Sequence, residues 1–175
     1  MTMSPQTRKL ALTAHVVSSV GWLGTVAGSL ALAVVGLTSQ DTQIVRAAYL
    51  ALEPIGWFVL VPLSLASLLT GLIQSLGTPW GLVRHYWVLF KLLINVVASV
   101  FLLMYMQTLG FFAGAAGQTT ASSTDLDALR SPSPALHAGV ALMLLVAAAT
   151  LSVYKPRGLK RYGRRKHEEV LAMAP

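Results

Sequence analysis

The sequence lacks cysteine and has few charged side chains. With no cysteine among 175 residues, disulfide frameworks, thiolate metal sites and cysteine nucleophiles are all excluded. Charged residues make up 11% of the chain, and only six residues are acidic, whereas a soluble domain carries about 25% charged residues. Hydrophobic residues make up 55%. This composition indicates a small integral membrane protein and leaves too little polar surface for a second, soluble domain.

Four long apolar runs account for most of the chain. A helix that crosses the hydrocarbon core needs about 20 apolar residues, and residues 10–37, 47–76, 86–112 and 135–154 meet this requirement. Polar and apolar residues do not alternate as they do in barrel strands, and a membrane segment must satisfy its backbone hydrogen bonds internally. The sequence therefore predicts an all-α, integral membrane four-helix bundle over residues 1–154, followed by a basic tail at 155–175.

The lysines and arginines are distributed unequally between the two sides of this predicted bundle. An even number of spans puts both termini on one side, and ten of the thirteen Lys and Arg residues fall on that side. By the positive-inside rule, this bias predicts a multi-pass protein of the cytoplasmic (inner) membrane with both termini in the cytoplasm. The ten cations are Arg8, Lys9, Arg84, Lys155, Arg157, Lys160, Arg161, Arg164, Arg165 and Lys166.

Seven of these cations lie close together in the tail, between Lys155 and Lys166. One interpretation is a contact with the lipid bilayer through anionic headgroups, to which each cation contributes up to about 1 kcal/mol. The other is that the tail only determines the topology. Nucleic-acid binding is not expected, because Tyr162 is the only aromatic residue among these cations and no folded basic module is present.

Small residues mark one face of the first span. Gly21, Gly24 and Gly28 follow a spacing of three and then four residues, and such a spacing lets two helices approach closely. One explanation is packing within the bundle of a single chain. The other is a homo-oligomer that forms through this face.

Ionisable side chains inside a membrane are costly, so each one is a candidate for function. At a rise of about 1.5 Å per residue, His15 lies roughly 7 Å and Lys91 about 8 Å from the cytoplasmic side. His85 and Gln74 fall near the same level, so these four side chains are expected to form one cluster. His137 enters from the opposite side and lies about 20 Å from His15 in depth. His15 and His137 therefore cannot be two ligands of one haem or metal ion.

His15 has three interpretations. It shares a helical face with Ser18 and Ser19, and hydroxyls one turn away can orient an imidazole. The side chain either hydrogen-bonds those serines or a neighbouring helix, ligates a haem or metal ion, or transfers protons. For a haem, His85 is the expected second ligand and Lys91 the next candidate. Lys91 either snorkels to the headgroups or pairs with a haem propionate or a lipid phosphate.

Two further polar residues enter the membrane from the opposite side. Glu53 stands beside Pro54 in a span that also contains Pro62, and both prolines predict kinks because each removes a helical hydrogen bond. Glu53 is expected either to bond a carbonyl freed by a proline or to pair with His137. His137 follows a Ser-Pro pair at the start of the fourth span. The alternative to pairing with Glu53 is that His137 lies at the membrane interface. Together they suggest a small proton-coupled carrier, which needs a dimer.

The first and third spans resemble those of a known group of proteins. The segments are His15-Val-Val-Ser-Ser-Val-Gly-Trp22-Leu-Gly24 and Trp87-Val-Leu-Phe-Lys91. They resemble the small four-helix bacterial integral membrane proteins of the CopD/HemJ-like group and related uncharacterised, actinobacterial-looking families. The resemblance covers residues 10–158. It implies a four-helix membrane bundle with His15 as a ligand and Lys91 as a site residue.

The two named families of this group imply different functions. HemJ-like proteins imply haem b binding and oxidation of protoporphyrinogen, and CopD-like proteins imply copper handling. The sequence lacks the Arg-containing extension that follows the first helix of HemJ-like proteins. Met104 and Met106 point to different faces of their helix, so they do not form a copper relay.

The function expected from these residues is that of a small membrane protein that binds haem b, or is otherwise redox-associated, through His15. One alternative is a cofactor-free membrane interaction or structural protein. The other is a small proton-coupled transporter that acts as an oligomer. No phosphate loop, dinucleotide fingerprint or nucleophile elbow is present in the sequence.

Overall fold

The computed structural model describes residues 3–77, 86–118 and 129–154, which form helices and short connections. The long helices are α1 (Pro5–Thr38), α2 (Thr42–Ile55), α3 (Val61–Gly77), α4 (Tyr86–Gly117) and α5 (Ser133–Tyr154). A π-helical turn at Gly56–Leu60 joins α2 to α3, so Thr42–Gly77 is one continuous span. In these ranges, four helical segments are long and apolar enough to cross a membrane. The all-α class is confirmed, and the helices are consistent with a small multi-pass membrane protein.

The first two helices begin earlier than the apolar runs because polar residues cap them. The Ser4 side chain accepts a hydrogen bond from Thr7 N at 3.2 Å, and Pro5 occupies the first helical position. At the start of α2, Asp41 Oδ1 accepts a hydrogen bond from Gln43 N at 2.8 Å. Both helices therefore start five residues before the predicted spans.

The second span changes its hydrogen bonding between its two prolines. Pro54 lies inside α2 and Pro62 in the first turn of α3, with the π-helical turn between them. Because proline has no N–H, the regular helical pattern cannot run through either position. The turn also brings α4 close, since a Cβ on Gly56 would lie 2.6 Å from Met106 Cε. Between the two prolines at which kinks are predicted, the structure has a wider turn within one continuous helix.

The four spans form a bundle in which neighbours in sequence are neighbours in space. α1 packs against α2, α3 and α5, and α4 packs against the same three helices. α1 begins and α5 ends at one end of the bundle, which we call the terminal end, and the opposite end is the loop end. At the terminal end, Met3 N donates a hydrogen bond to Gly77 O at 3.4 Å. This contact ties the start of α1 to the last residue of α3.

The half of the bundle next to the loop end has an apolar core. Tyr49 of α2 and Met106 of α4 are each 1% exposed. The rings of Tyr49 and Phe112 stack with their centroids 5.4 Å apart. At the edge of this core, Arg46 Nε donates to Ala116 O at 2.7 Å, which places a cation at the C-terminus of α4, where the helix dipole favours it.

The glycine face of α1 is divided in the structure. Gly21 packs against α3, where its Cβ position lies 3.3 Å from Leu63 Cδ1. Gly24 and Gly28 are exposed, and a Cβ on either would meet nothing within 4 Å. The explanation by packing within one chain is therefore wrong for Gly24 and Gly28, because α1 buries the face that carries Trp22 instead. The homo-oligomer through this face stays a prediction.

Candidate functional site

Polar side chains fill the interior of the bundle next to the terminal end. On α1, α3 and α4 they recur every three or four positions, a spacing that places them on one side of each helix. Polar groups are costly inside a membrane, so a buried cluster of them indicates function. This cluster, which we call the polar core, consists of His15, Ser18 and Ser19 from α1, Ser64, Ser67 and Thr70 from α3, and Lys91, Asn95 and Ser99 from α4.

The imidazole of His15 lies at the centre of the polar core and is only 8% exposed. Its Nδ1 is 3.1 Å from Ser67 O and 3.1 Å from Thr70 Oγ1. Its Nε2 is 3.3 Å from Lys91 Nζ. A carbonyl oxygen only accepts hydrogen bonds, so Nδ1 carries the ring proton and donates it to Ser67 O. Nε2 is then free to accept a hydrogen bond from the Lys91 ammonium group.

α3 fixes the position of this ring. The Thr70 hydroxyl donates to Ala66 O at 2.6 Å, which leaves its oxygen free to accept from His15 Nδ1. Gly71 makes room for the imidazole, since a Cβ at this position would lie 3.1 Å from His15 Cε1. One turn further along, Gln74 Nε2 donates to Ala11 O at 2.9 Å. Gln74 therefore lies near His15, as the depth argument predicted.

The serines next to His15 in sequence do not orient its ring. Ser18 Oγ donates to the His15 backbone carbonyl at 3.1 Å, and Ser19 Oγ lies 2.8 Å from Ser67 Oγ. The prediction that these two hydroxyls bond the imidazole is wrong, because each has a nearer backbone or cross-helix partner. The alternative interpretation, a bond from His15 to a neighbouring helix, is the observed arrangement.

Lys91 points into the bundle rather than toward the headgroups. Its side chain is partly buried, and the 3.3 Å contact with His15 Nε2 holds Nζ inside. The snorkelling interpretation is therefore wrong for Lys91. Two residues that sequence reasoning missed follow it on α4, namely Asn95 at 8% and Ser99 at 3% exposure. Their spacing of four and eight residues from Lys91 is the signal that would have revealed them.

Ligands for a haem or metal ion were expected beside His15. His85, the expected second ligand, lies outside the described residues, as does the cationic segment 155–166 of the tail. In the part of the chain that the structure describes, no three His, Asp or Glu side chains come together to hold a metal ion. An iron at Nε2 would have to displace Lys91 from its hydrogen bond. The arrangement around His15 thus fits a hydrogen-bonded pair and does not fit an open haem ligand.

The other two candidate residues lie away from the polar core. The ring of His137 stacks on Tyr105 with centroids 3.9 Å apart, and its Nδ1 lies 2.9 Å from Ser133 O. Glu53 Oε1 lies against α4, 3.4 Å from the Cβ position of Gly110. His137 thus takes its partners from α4 and its own helix, and it is an exposed residue near the loop end.

Comparisons with known proteins found no matching family model, no matching curated protein and no matching solved structure. The function must therefore be argued from the chemistry of these residues.

Proposed function

We propose that the protein is a small proton-translocating membrane protein in which His15 and Lys91 exchange a proton at the terminal end. The observation that carries this proposal is the hydrogen bond of 3.3 Å between His15 Nε2 and Lys91 Nζ. Two basic groups in direct contact inside a membrane helix bundle are rare and costly, which makes a functional reason for them the default expectation.

Electrostatics limit the pair to one positive charge. Two unit charges at this separation repel by about 5 kcal/mol at an effective dielectric constant of about 20. Within the described ranges the acidic residues are Asp41, which caps α2, and Glu53, which lies within α2, and neither belongs to the polar core. No described carboxylate is therefore placed there to balance a second charge. The pair accordingly holds a single extra proton, which resides on either nitrogen.

The geometry provides a path for that proton. It moves from Lys91 Nζ to His15 Nε2 along the hydrogen bond, which leaves a neutral amine and an imidazolium. The second N–H of this imidazolium, at Nδ1, already donates to Ser67 O, so the new charge keeps a hydrogen-bond acceptor. The imidazolium then releases its Nδ1 proton toward the Thr70 hydroxyl, which lies 3.1 Å from Nδ1. Only after this release does the neutral Lys91 amine take up another proton from the aqueous side of the terminal end, so the pair never carries two positive charges. The remaining serines and Asn95 continue the polar surface toward the middle of the bundle.

A proton-flux measurement tests this function. The purified protein is reconstituted into vesicles loaded with a pH-sensitive dye, and a potassium diffusion potential drives proton entry. We expect the wild-type protein to acidify the vesicles at least tenfold faster than either Lys91→Met or His15→Gln. Ser75→Ala is the matched control, because its hydroxyl bonds Leu72 O of its own helix. Equal flux in wild-type and His15→Gln vesicles would contradict the proposal.

The haem prediction is tested by the visible absorption spectrum of the same protein. A haem ligated by His15 would produce a Soret band that disappears in His15→Ala. We expect no such band from well-folded protein that was expressed with haem supplied, because Lys91 occupies the nitrogen that iron would need. A stoichiometric, His15-dependent Soret band would replace the proton-transfer function with haem binding.

A further inference from the structure

A second region of the bundle, distinct from the polar core, has the properties of a ligand site. A cavity of about 290 Å³ lies between α1, α4 and α5. Its walls are apolar along most of their area, and it extends from Trp22 in α1 to His137 near the start of α5. This volume is close to the lower limit of about 300 Å³ for known ligand pockets. It is enough for one ring of a small molecule.

The cavity opens sideways between α4 and α5. Among its lining residues, Phe101 of α4 is 60% exposed, and Leu136 and Val140 of α5 are 63% and 51% exposed. These apolar side chains lie on the outer surface of the bundle, where a membrane would place lipid tails. A ligand that enters by this route is therefore dissolved in the membrane, and part of it can remain outside between the two helices.

One polar side chain in the cavity wall has a hydroxyl without a hydrogen-bond partner. Ser29 lines the cavity and is 6% exposed, and its hydroxyl has no hydrogen-bond partner among the described residues. Other hydroxyls on the same helix do have partners, since Thr25 bonds Gly21 O at 2.8 Å and Ser18 bonds a carbonyl of its own helix. An unpaired buried hydroxyl is costly. The oxygen of this hydroxyl is enclosed in the structure, so the hydroxyl donates to an acceptor on a ligand after a rotation about the Cα–Cβ bond of Ser29.

Four flat rings contribute to the cavity wall. The side chains of Trp22, Phe101, Tyr105 and His137 all line the cavity. Tyr105 and His137 stack on each other with an angle of 17° between their planes. Aromatic walls of this kind favour a planar ring, which can stack on them or meet them edge-to-face.

We propose that the cavity binds a membrane-soluble quinone, a planar ring with carbonyl oxygens and a hydrocarbon tail. The ring lies among the aromatic side chains, and the Ser29 hydroxyl donates to one ring carbonyl. The tail leaves between α4 and α5. This site is separate from the His15–Lys91 pair and does not depend on the proton-transfer function.

Fluorescence of Trp22 reports occupancy directly. The substitutions Trp57→Phe, Trp80→Phe and Trp87→Phe leave Trp22 as the single tryptophan, and it is 2% exposed in the cavity wall. Decylubiquinone is the probe, because a quinone quenches tryptophan emission on contact. We expect saturable quenching of Trp22 in nanodiscs. Decylbenzene, which carries the same tail without carbonyl groups, should not compete with the probe.

Two variants test the contacts that define the site. Ser29→Ala removes the donor with little change in volume, and the loss of one hydrogen bond should weaken decylubiquinone binding about fivefold. Ala141→Phe fills the cavity and should abolish saturable quenching. Ser75→Ala is the control, because its hydroxyl lies on α3 and already bonds Leu72 O. Circular dichroism confirms that each variant is folded.

Several results would overturn the proposal. Unchanged decylubiquinone affinity in Ser29→Ala would show that no carbonyl is recognised. Strong quenching of Trp22 by phosphatidylcholine with brominated acyl chains, undiminished by decylubiquinone, would show that a lipid tail occupies the cavity instead. Quenching that is linear and equal in Ala141→Phe would show contact through the bilayer alone.

Discussion

At the scale of single residues, His15 and Lys91 complete each other's hydrogen bonding. The imidazole donates through Nδ1 to a backbone carbonyl and accepts through Nε2 from the ammonium group. Without this contact, His15 Nε2 and Lys91 Nζ would each lose a hydrogen-bond partner in the interior of the bundle. The pair therefore tolerates burial while keeping one proton that can move between two nitrogens.

Lys91→Met separates the functional role of this residue from its structural role. The substitution loses a hydrogen bond worth about 1 kcal/mol, but it also removes a charge whose burial costs about 3 kcal/mol on insertion scales. We expect the thermal midpoint to stay equal or to rise, while proton flux falls at least tenfold. Thermal unfolding in detergent and the vesicle assay measure the two quantities. A large loss of stability would show that Lys91 is mainly structural.

Gly71→Ala should displace the His15 ring without removing any polar group. Its added Cβ would lie 3.1 Å from His15 Cε1, so the ring must shift by a few tenths of an ångström and lengthen its bonds. We expect several-fold slower proton flux. Gly114→Ala is the matched control, because its Cβ meets nothing within 4 Å and its helical preference adds up to about 1 kcal/mol of stability. Similar flux in the two variants would show that the position of the ring is unimportant.

At the scale of the secondary-structure elements, the second span is the most unusual. A π-helical turn lies between Pro54 and Pro62, and such turns are frequently associated with functional sites. Its first residue, Gly56, is in direct contact with Met106 of α4. The turn thus fixes how closely the second and third spans approach each other in the apolar half.

Gly56→Ala should destabilise the bundle by about 1–3 kcal/mol, the usual cost of overpacking a core. The reason is that its Cβ would lie 2.6 Å from Met106 Cε, and Met106 is 1% exposed. Adding Met106→Leu shortens the opposing side chain and should recover part of this loss. Thermal unfolding of both single variants and the double variant gives the coupling energy. If the stability changes of the two single variants add up to that of the double variant, the contact between Gly56 and Met106 does not limit the packing.

The elements show what the sequence can and cannot predict. Four spans followed from apolar length alone, whereas their starts at Pro5 and Thr42 depended on the capping residues Ser4 and Asp41. His15 and Lys91 were found because they are ionisable. The groups that fix the ring, Ser67 O and the space above Gly71, lie more than fifty residues away in sequence, and a backbone atom leaves no compositional signal.

At the scale of the whole molecule, the two halves of the bundle differ in polarity. The half at the terminal end contains the polar core, and the half at the loop end contains Tyr49, Met106 and Phe112 in an apolar core. The cavity with Ser29 lies beside this apolar core. Proton exchange and binding of an apolar ligand are thus assigned to different halves, and a variant in one half should leave the other function intact.

The orientation of the bundle is a prediction from the Lys and Arg distribution, and cysteine labelling can measure it. The chain contains no cysteine, so each single substitution introduces one labelling site. Gln6→Cys places it before the predicted membrane segment of α1, and Gln40→Cys places it in the connection between α1 and α2. We expect a membrane-impermeant maleimide to label Gln40→Cys in intact cells and Gln6→Cys only after permeabilisation. The reverse pattern would place the polar core at the external side.

The protonation state of His15 is the most direct evidence for or against the shared proton. Selective ¹⁵N labelling of histidine, with His15 assigned by the loss of its signals in His15→Gln, distinguishes the two ring nitrogens by magnetic resonance. We predict a protonated Nδ1 and a hydrogen-bonded, unprotonated Nε2 near neutral pH, with the Nε2 signal shifting when Lys91 is replaced by Met. A ring protonated on Nε2 but not on Nδ1, or an Nε2 signal unaffected by Lys91→Met, would contradict the shared proton.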